Sequence, residues 1–165
     1  MKSIITARMK TAALAGATAA ALIAGAANVS SDGTPAEADK GQRAELSLAS
    51  EAAASLPKTS SEQVRVLEGS GRASRPITTG TTKTLASGQR LTVETVCLGT
   101  GSVTVTATAG GPTRTQRVRC VESGTHRAET SRFTLTTQGA DGVRIAVRPN
   151  EETRGGLAFR VHESA

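Results

Sequence analysis

LTVETVCLGTGSVTVTATAGGPTRTQRVRCV, residues 91–121, contains three apolar/polar alternations, two glycine turns and the only two cysteines of the chain. In the first run Leu91, Val93, Thr95 and Cys97 share one face, and Thr92, Glu94 and Val96 share the other. In the second, Val103, Val105, Ala107 and Ala109 oppose Thr104, Thr106 and Thr108. In the third, Val118 and Cys120 oppose Arg117 and Arg119. A period of two with β-branched residues marks half-buried strands. Gly99-Thr100-Gly101 and Gly110-Gly111-Pro112 separate the runs. Glycine supplies the positive φ of tight turns, and proline, lacking an N–H, belongs at a strand start.

Two turns return the third run to the end where the first one finished, so Cys97 and Cys120 fall at the same end on the apolar phase. Pairing them raises a geometric problem. Three flat neighbouring strands hold the outer two about 9–10 Å apart, whereas a disulfide needs Cα atoms about 4.4–6.8 Å apart. Either the bridge closes beyond the end of the middle strand, or the strands divide between two sheets.

Outward from this meander, the strand signals continue. Val64 and Val66 precede Gly69-Ser70-Gly71, which ends their strand. Pro76-Ile77 and Lys83-Thr84-Leu85 read as short strands or edges, and Ser87-Gly88 turns the chain into the meander. Phe133 and Leu135 share a face. Gly139-Ala140-Asp141-Gly142 reads as a hairpin turn, followed by Val143, Ile145 and Val147. Pro149-Asn150 and Gly155-Gly156 bracket a loop, and Leu157, Phe159 and Val161 make the last strand. About seven to nine short strands between residues 62 and 165 predict an all-β domain, an antiparallel sandwich of the immunoglobulin-like or jelly-roll-like kind with one disulfide. Its core lacks Trp and Tyr, so the crosslink, worth about 3 kcal/mol for a loop of this length, matters for stability.

The segment before this domain divides in two. Lys2, Arg8 and Lys10, an alanine-rich apolar stretch from Thr11 to Ala24, and Ala24-Gly25-Ala26 form a secretory signal peptide over residues 1–26. Its apolar part is short for a membrane span. Export accounts for the cysteines, because disulfides persist outside the cytosol. Residues 27–61, rich in Ala, Ser, Glu and Thr, read as a polar linker that is mostly disordered or weakly helical. Gln42 to Ser55 can form a helix, with Leu46, Ala49 and Ala53 at helical spacing. Leu56-Pro57-Lys58-Thr59-Ser60 half-matches the LPxTG wall-anchoring signal, but serine replaces the last glycine and no apolar segment with a basic tail follows.

At Val96-Cys97-Leu98-Gly99-Thr100-Gly101-Ser102-Val103-Thr104-Val105, with Val118-Arg119-Cys120 following, the chain resembles small secreted actinobacterial β-sandwich proteins of uncharacterised function. The resemblance spans roughly Gln89 to Val161 and includes Gly155, Ala158 and Val161. It implies a secreted sandwich from a high-GC Gram-positive bacterium and no particular activity, since a fold alone licenses none.

The residues argue against an enzyme. His126 and His162 are the only histidines, read as a polar-loop residue and a residue of the frayed C-terminus. No HxxxH, CxxC or GxSxG is present, and zinc or Ser-His-Asp chemistry needs convergent partners. No DxDxDG calcium loop occurs, and Gly99-Thr100-Gly101 lacks the lysine of a phosphate loop. No catalytic residue, metal ligand or cofactor is therefore assigned. Sugar-binding sandwiches that stack rings on exposed Trp or Tyr are poorly matched, as are aromatic-dependent single-strand nucleic-acid binders.

Charge is the remaining signal. The formal net charge of +6 falls to +3 without Lys2, Arg8 and Lys10. Arg117 and Arg119 lie on the solvent phase of one strand, and Arg144, Arg148 and Arg160 on outward phases of the last two. Were these strands neighbours, the five would form a basic stripe able to grip an anionic cell-wall polymer. A GC-rich genome also favours arginine, and a charged outer face also guards against edge pairing. The expected protein is secreted or cell-wall associated, non-enzymatic, and without a membrane span once the leader is removed. Its partner is an anionic envelope polymer or, alternatively, an extracellular protein that it serves as an accessory or inhibitor domain; nucleic acid is not expected.

Overall fold

A computed structural model describes residues 35–60, 63–124 and 128–164; the expected leader (1–26) lies outside them. The elements are α1 (Pro35–Ser55), β1 (Arg65–Arg72), β2 (Ile77–Thr100), β3 (Ser102–Thr108), β4 (Thr113–Arg119), β5 (Ser131–Pro149) and β6 (Arg154–Glu163). The six strands form one antiparallel sheet in the order β1-β6-β2-β5-β3-β4.

Two long strands turn this sheet into a sandwich. The second half of β2, Leu91–Thr100, pairs with β6, and its first half does not. The second half of β5, from Arg144 to Pro149, pairs with β3. β2 and β5 pair with each other through both halves. One layer is therefore β1-β6-β2-β5 and the other β2-β5-β3-β4. Strands that switch layers do so at bends and bulges, and the β2–β5 register slips twice, between Thr81 and Thr84 and between Ser87 and Arg90. Between the layers lies one core. It takes Leu91, Val93, Leu157, Phe159 and Val161 from the first, and Val103, Val105, Val118, Ile145 and Val147 from the second.

Several glycine pairs thus bend strands instead of reversing them. Gly139-Ala140-Asp141-Gly142 is not a hairpin turn: β5 runs through it, with Asp141 opposite Thr84. Gly142 has a φ of 117°, and a Cβ there would lie 1.7 Å from the Thr81 carbonyl oxygen, so the bulge on β2 requires glycine. Ser87-Gly88 lies inside β2 in the same way. Gly69-Ser70-Gly71 stays within β1, where Gly69 makes room for the Phe159 ring of the paired strand. Gly155-Gly156 belongs to β6.

The meander is also re-ordered. β3 and β4 form the expected hairpin, but β5 separates them from β2. The Cys97–Cys120 disulfide joins the two layers, with its Cα atoms 4.5 Å apart. β5 pairs with β2 as far as Thr95. Beyond that point Val121 takes over the strand edge: its N–H donates to the Cys97 carbonyl, and its carbonyl accepts from the Gly99 N–H. Of the two geometries that allow the bridge, the structure has the strands divided between layers.

The segment over 35–55 is helical along its whole length and packs on the first layer, unlike a solvated tether. Leu48, Ala52, Ala53 and Leu56 cover Val96, Leu98 and Ala158. Of the expected helix face, Ala49 is buried and Ala53 packs on the sheet, whereas Leu46 is 55% exposed. Glu45 anchors the preceding turn. Its carboxylate accepts from the Ser74 hydroxyl at 2.7 Å and from the Gly155 N–H at 3.2 Å. The helix backbone then lies flush on β6, where a Cβ on Gly156 would sit 1.9 Å from the Ala49 nitrogen. A helix this poor in large apolar residues is marginal alone, so the sheet holds it.

A candidate polyanion-binding face

The outer surface of the second layer assembles from strand register. Thr104 of β3 faces Arg117 of β4 on one side and Arg148 of β5 on the other. Two residues along, Thr106 is flanked by Thr115 and Ala146; two further, Thr108 is flanked by Thr113 and Arg144. Ser102 pairs with Arg119 at the opposite end. Each of these rows lies on the face away from the core, because Val103, Val105 and Ala107 alternate inward. Residues two apart on a strand are about 7 Å apart, and adjacent strands about 4.8 Å. Four arginines and a set of threonines thus share one pleated surface.

Arg117, Arg119, Arg144 and Arg148 are all exposed, and none is ion-paired with a carboxylate among the described residues. Arg117 is steadied by donating from Nε to the Ser102 hydroxyl at 3.0 Å, which leaves the outer nitrogens of its fork uncommitted. Hydroxyl pairs Thr106–Thr115 and Thr108–Thr113, at 3.1 and 3.2 Å, tie β3 to β4 between the arginines. Beyond Arg144 a shallow polar basin of about 570 Å³ opens, with Asp141 and Thr78 on its walls.

Arg160 does not belong to this face. It lies on β6 in the other layer, 7% exposed, and donates to the Pro57 carbonyl at 2.5 Å and to Glu68 at 3.4 Å. Its phase along the strand is outward as expected, but α1 and the chain leaving it cover that side. His162 is buried as well, 4% exposed, and is not a frayed terminal residue. Its Nε2 lies 3.7 Å from the Glu94 carboxylate and its Nδ1 3.2 Å from the Glu163 carbonyl oxygen. Glu94, also 4% exposed, accepts from Arg132 at 2.6 and 3.1 Å. Neither ring nitrogen of His162 bonds a hydroxyl among the described residues. His126 lies outside the described residues.

Among the described residues, no three His, Cys, Asp or Glu side chains come together as a metal-ligand set, and no helix is long and apolar enough to cross a membrane. Sequence reasoning missed the Glu94–Arg132–His162 cluster. Glu94 and His162 each sit in an ordinary polar phase, and only their cross-strand neighbours bring them together. Comparison with protein-family models, curated proteins and solved structures finds no match to this chain.

Proposed function

We propose that this chain is an exported, non-enzymatic module that binds an anionic polymer of the cell envelope through Arg117, Arg119, Arg144 and Arg148. The observation that carries the reading is the register Arg148–Thr104–Arg117, which sets arginines from β5 and β4 on one open face without carboxylate partners among the described residues. Guanidinium forks bind phosphate and carboxylate oxygens in bidentate fashion. The threonine hydroxyls between them donate further hydrogen bonds, and a flexible polymer can engage several arginines at once. The disulfide agrees with an oxidising compartment.

Co-sedimentation of residues 27–165 with isolated cell walls at low and high salt tests the reading. Detection uses a covalent label, because Trp and Tyr are absent. Binding that disappears at high salt, and is lost in an Arg117→Gln/Arg148→Gln variant, is the expected outcome. Salt-tolerant binding indifferent to that variant would favour the alternative, a protein-facing accessory or inhibitor domain. No binding in either buffer would reject an envelope ligand.

A further inference from the structure

A second, chemically different site lies across the molecule, where α1 crosses the ends of β1, β2 and β6. A groove of about 670 Å³ opens there, within the range of small-molecule pockets. Its floor is built from small and apolar groups: Gly41, Ala44 and Leu48 of the helix, with Gly99 and Gly155 of the sheet. The sheet glycines face each other across β2 and β6, with φ of 124° and 136°. A Cβ on either would collide with the opposite backbone, so this wall is bare main chain. On the helix side, a Cβ on Gly41 would meet nothing within 4 Å, which leaves open space above the floor.

Three arginines line the same groove: Arg72, Arg75 and Arg154. Arg72 pairs with Gly156, and Arg154 is two residues before it, so both stand on the helix-facing side of the sheet. Arg154 is steadied by donating to the carbonyls of Glu151 and Thr153, at 3.2 and 2.7 Å. None of the three has a carboxylate partner among the described residues. The one acidic wall, Glu45, already uses both oxygens, on Ser74 and on the Gly155 N–H. The groove therefore combines an apolar floor with three arginines against one committed carboxylate.

We infer that this groove binds a small amphipathic anion, its phosphate or carboxylate head held by Arg72, Arg75 and Arg154 and its apolar tail laid along Gly41, Ala44 and Leu48. Charge alone would suit inorganic phosphate, and apolar surface alone would suit a neutral detergent. Together they select a molecule carrying both.

The test uses ¹⁵N-labelled residues 27–165 titrated with octyl phosphate, octanoate, inorganic phosphate and octyl glucoside, each below its micellar concentration. Saturable shifts of the Gly41, Gly99 and Gly155 amides with octyl phosphate or octanoate are expected. Inorganic phosphate and octyl glucoside should bind at least about tenfold more weakly, the equivalent of one charge-assisted contact. The response of the two anionic probes decides whether the head is a phosphate or a carboxylate. Gly41→Leu places a side chain in the open space, removes no charge and raises helix propensity. It should abolish binding while the spectrum stays folded. Arg72→Gln/Arg75→Gln should weaken octyl phosphate by about tenfold or more. The inference is overturned if no probe saturates these amides, if inorganic phosphate or octyl glucoside matches octyl phosphate, or if Gly41→Leu binds as tightly as the native chain. Arg117→Gln/Arg148→Gln should leave octyl phosphate binding intact, so this site and the wall-binding face succeed or fail separately.

Discussion

The two layers of the sandwich carry similar patterns on their outer faces and meet different fates. In the β1-β6-β2-β5 layer, the outward phase of β2 and β6 holds Glu94, Val96, Leu98, Arg160 and His162, all buried. In the β2-β5-β3-β4 layer, the outward phase holds Arg117, Arg119, Arg144 and Arg148, all exposed. Alternation tells which side chains share a face, and a cover tells whether that face meets water. α1 and the irregular segment 57–60 that follows it supply cover on one side. Charges under the cover must find partners, because an unpaired buried charge is costly. Arg160 accordingly pairs with Glu68, and Glu94 with Arg132. Charges on the open side have no such obligation and remain exposed.

The comparison can be broken most forcefully at the link between the layers. Replacing Cys97 and Cys120 with serine removes the crosslink between the layers and should cost about 3 kcal/mol by chain-entropy arguments. Chemical denaturation followed by far-ultraviolet circular dichroism would measure it, and a cost near zero would mean that the core and the two shared strands hold the layers together without the crosslink. A somewhat smaller loss is expected within the covered layer. Glu94→Ala leaves Arg132 and His162 facing a cavity and should cost about 2–3 kcal/mol, reduced from the fully buried case because Arg132 is largely exposed. If the variant is as stable as the native chain, the Glu94–Arg132–His162 cluster contributes nothing and the contrast between layers loses its energetic basis. The smallest effect is expected on the open face. Arg117→Gln/Arg148→Gln should change stability by no more than about 0.5 kcal/mol, even as wall binding is lost. A large destabilisation there would mark those arginines as structural.

How much of this was legible in the sequence varies by element. The phases of 91–97, 103–109 and 117–120 were readable because alternation is a local property of extended chain. The β3–β4 hairpin followed from Gly110-Gly111-Pro112 for the same reason. Gly139–Gly142 misled, because glycine permits a bulged bend as readily as a reversal, and only the close Thr81 carbonyl distinguishes them. Of the five arginines expected to form one stripe, four share a layer and Arg160 does not. Their phases were correct, but the stripe required the strands to be neighbours, and β6 lies between β1 and β2, away from β3 and β4.

By itself, the sequence determined the β class, the inward and outward phases, the pairing of the only two cysteines, and the light apolar core that makes a crosslink valuable. These depend on residue type and on spacing along one strand. Only the tertiary structure decided the strand order, with β5 inserted between β2 and β3, the passage of two long strands through both layers, and the docking of α1. Those rest on contacts between residues far apart in the chain, Gly156 against Ala49 and Glu45 against Gly155 among them. Such contacts determine which outward faces are sealed, and therefore which arginines remain available to a ligand.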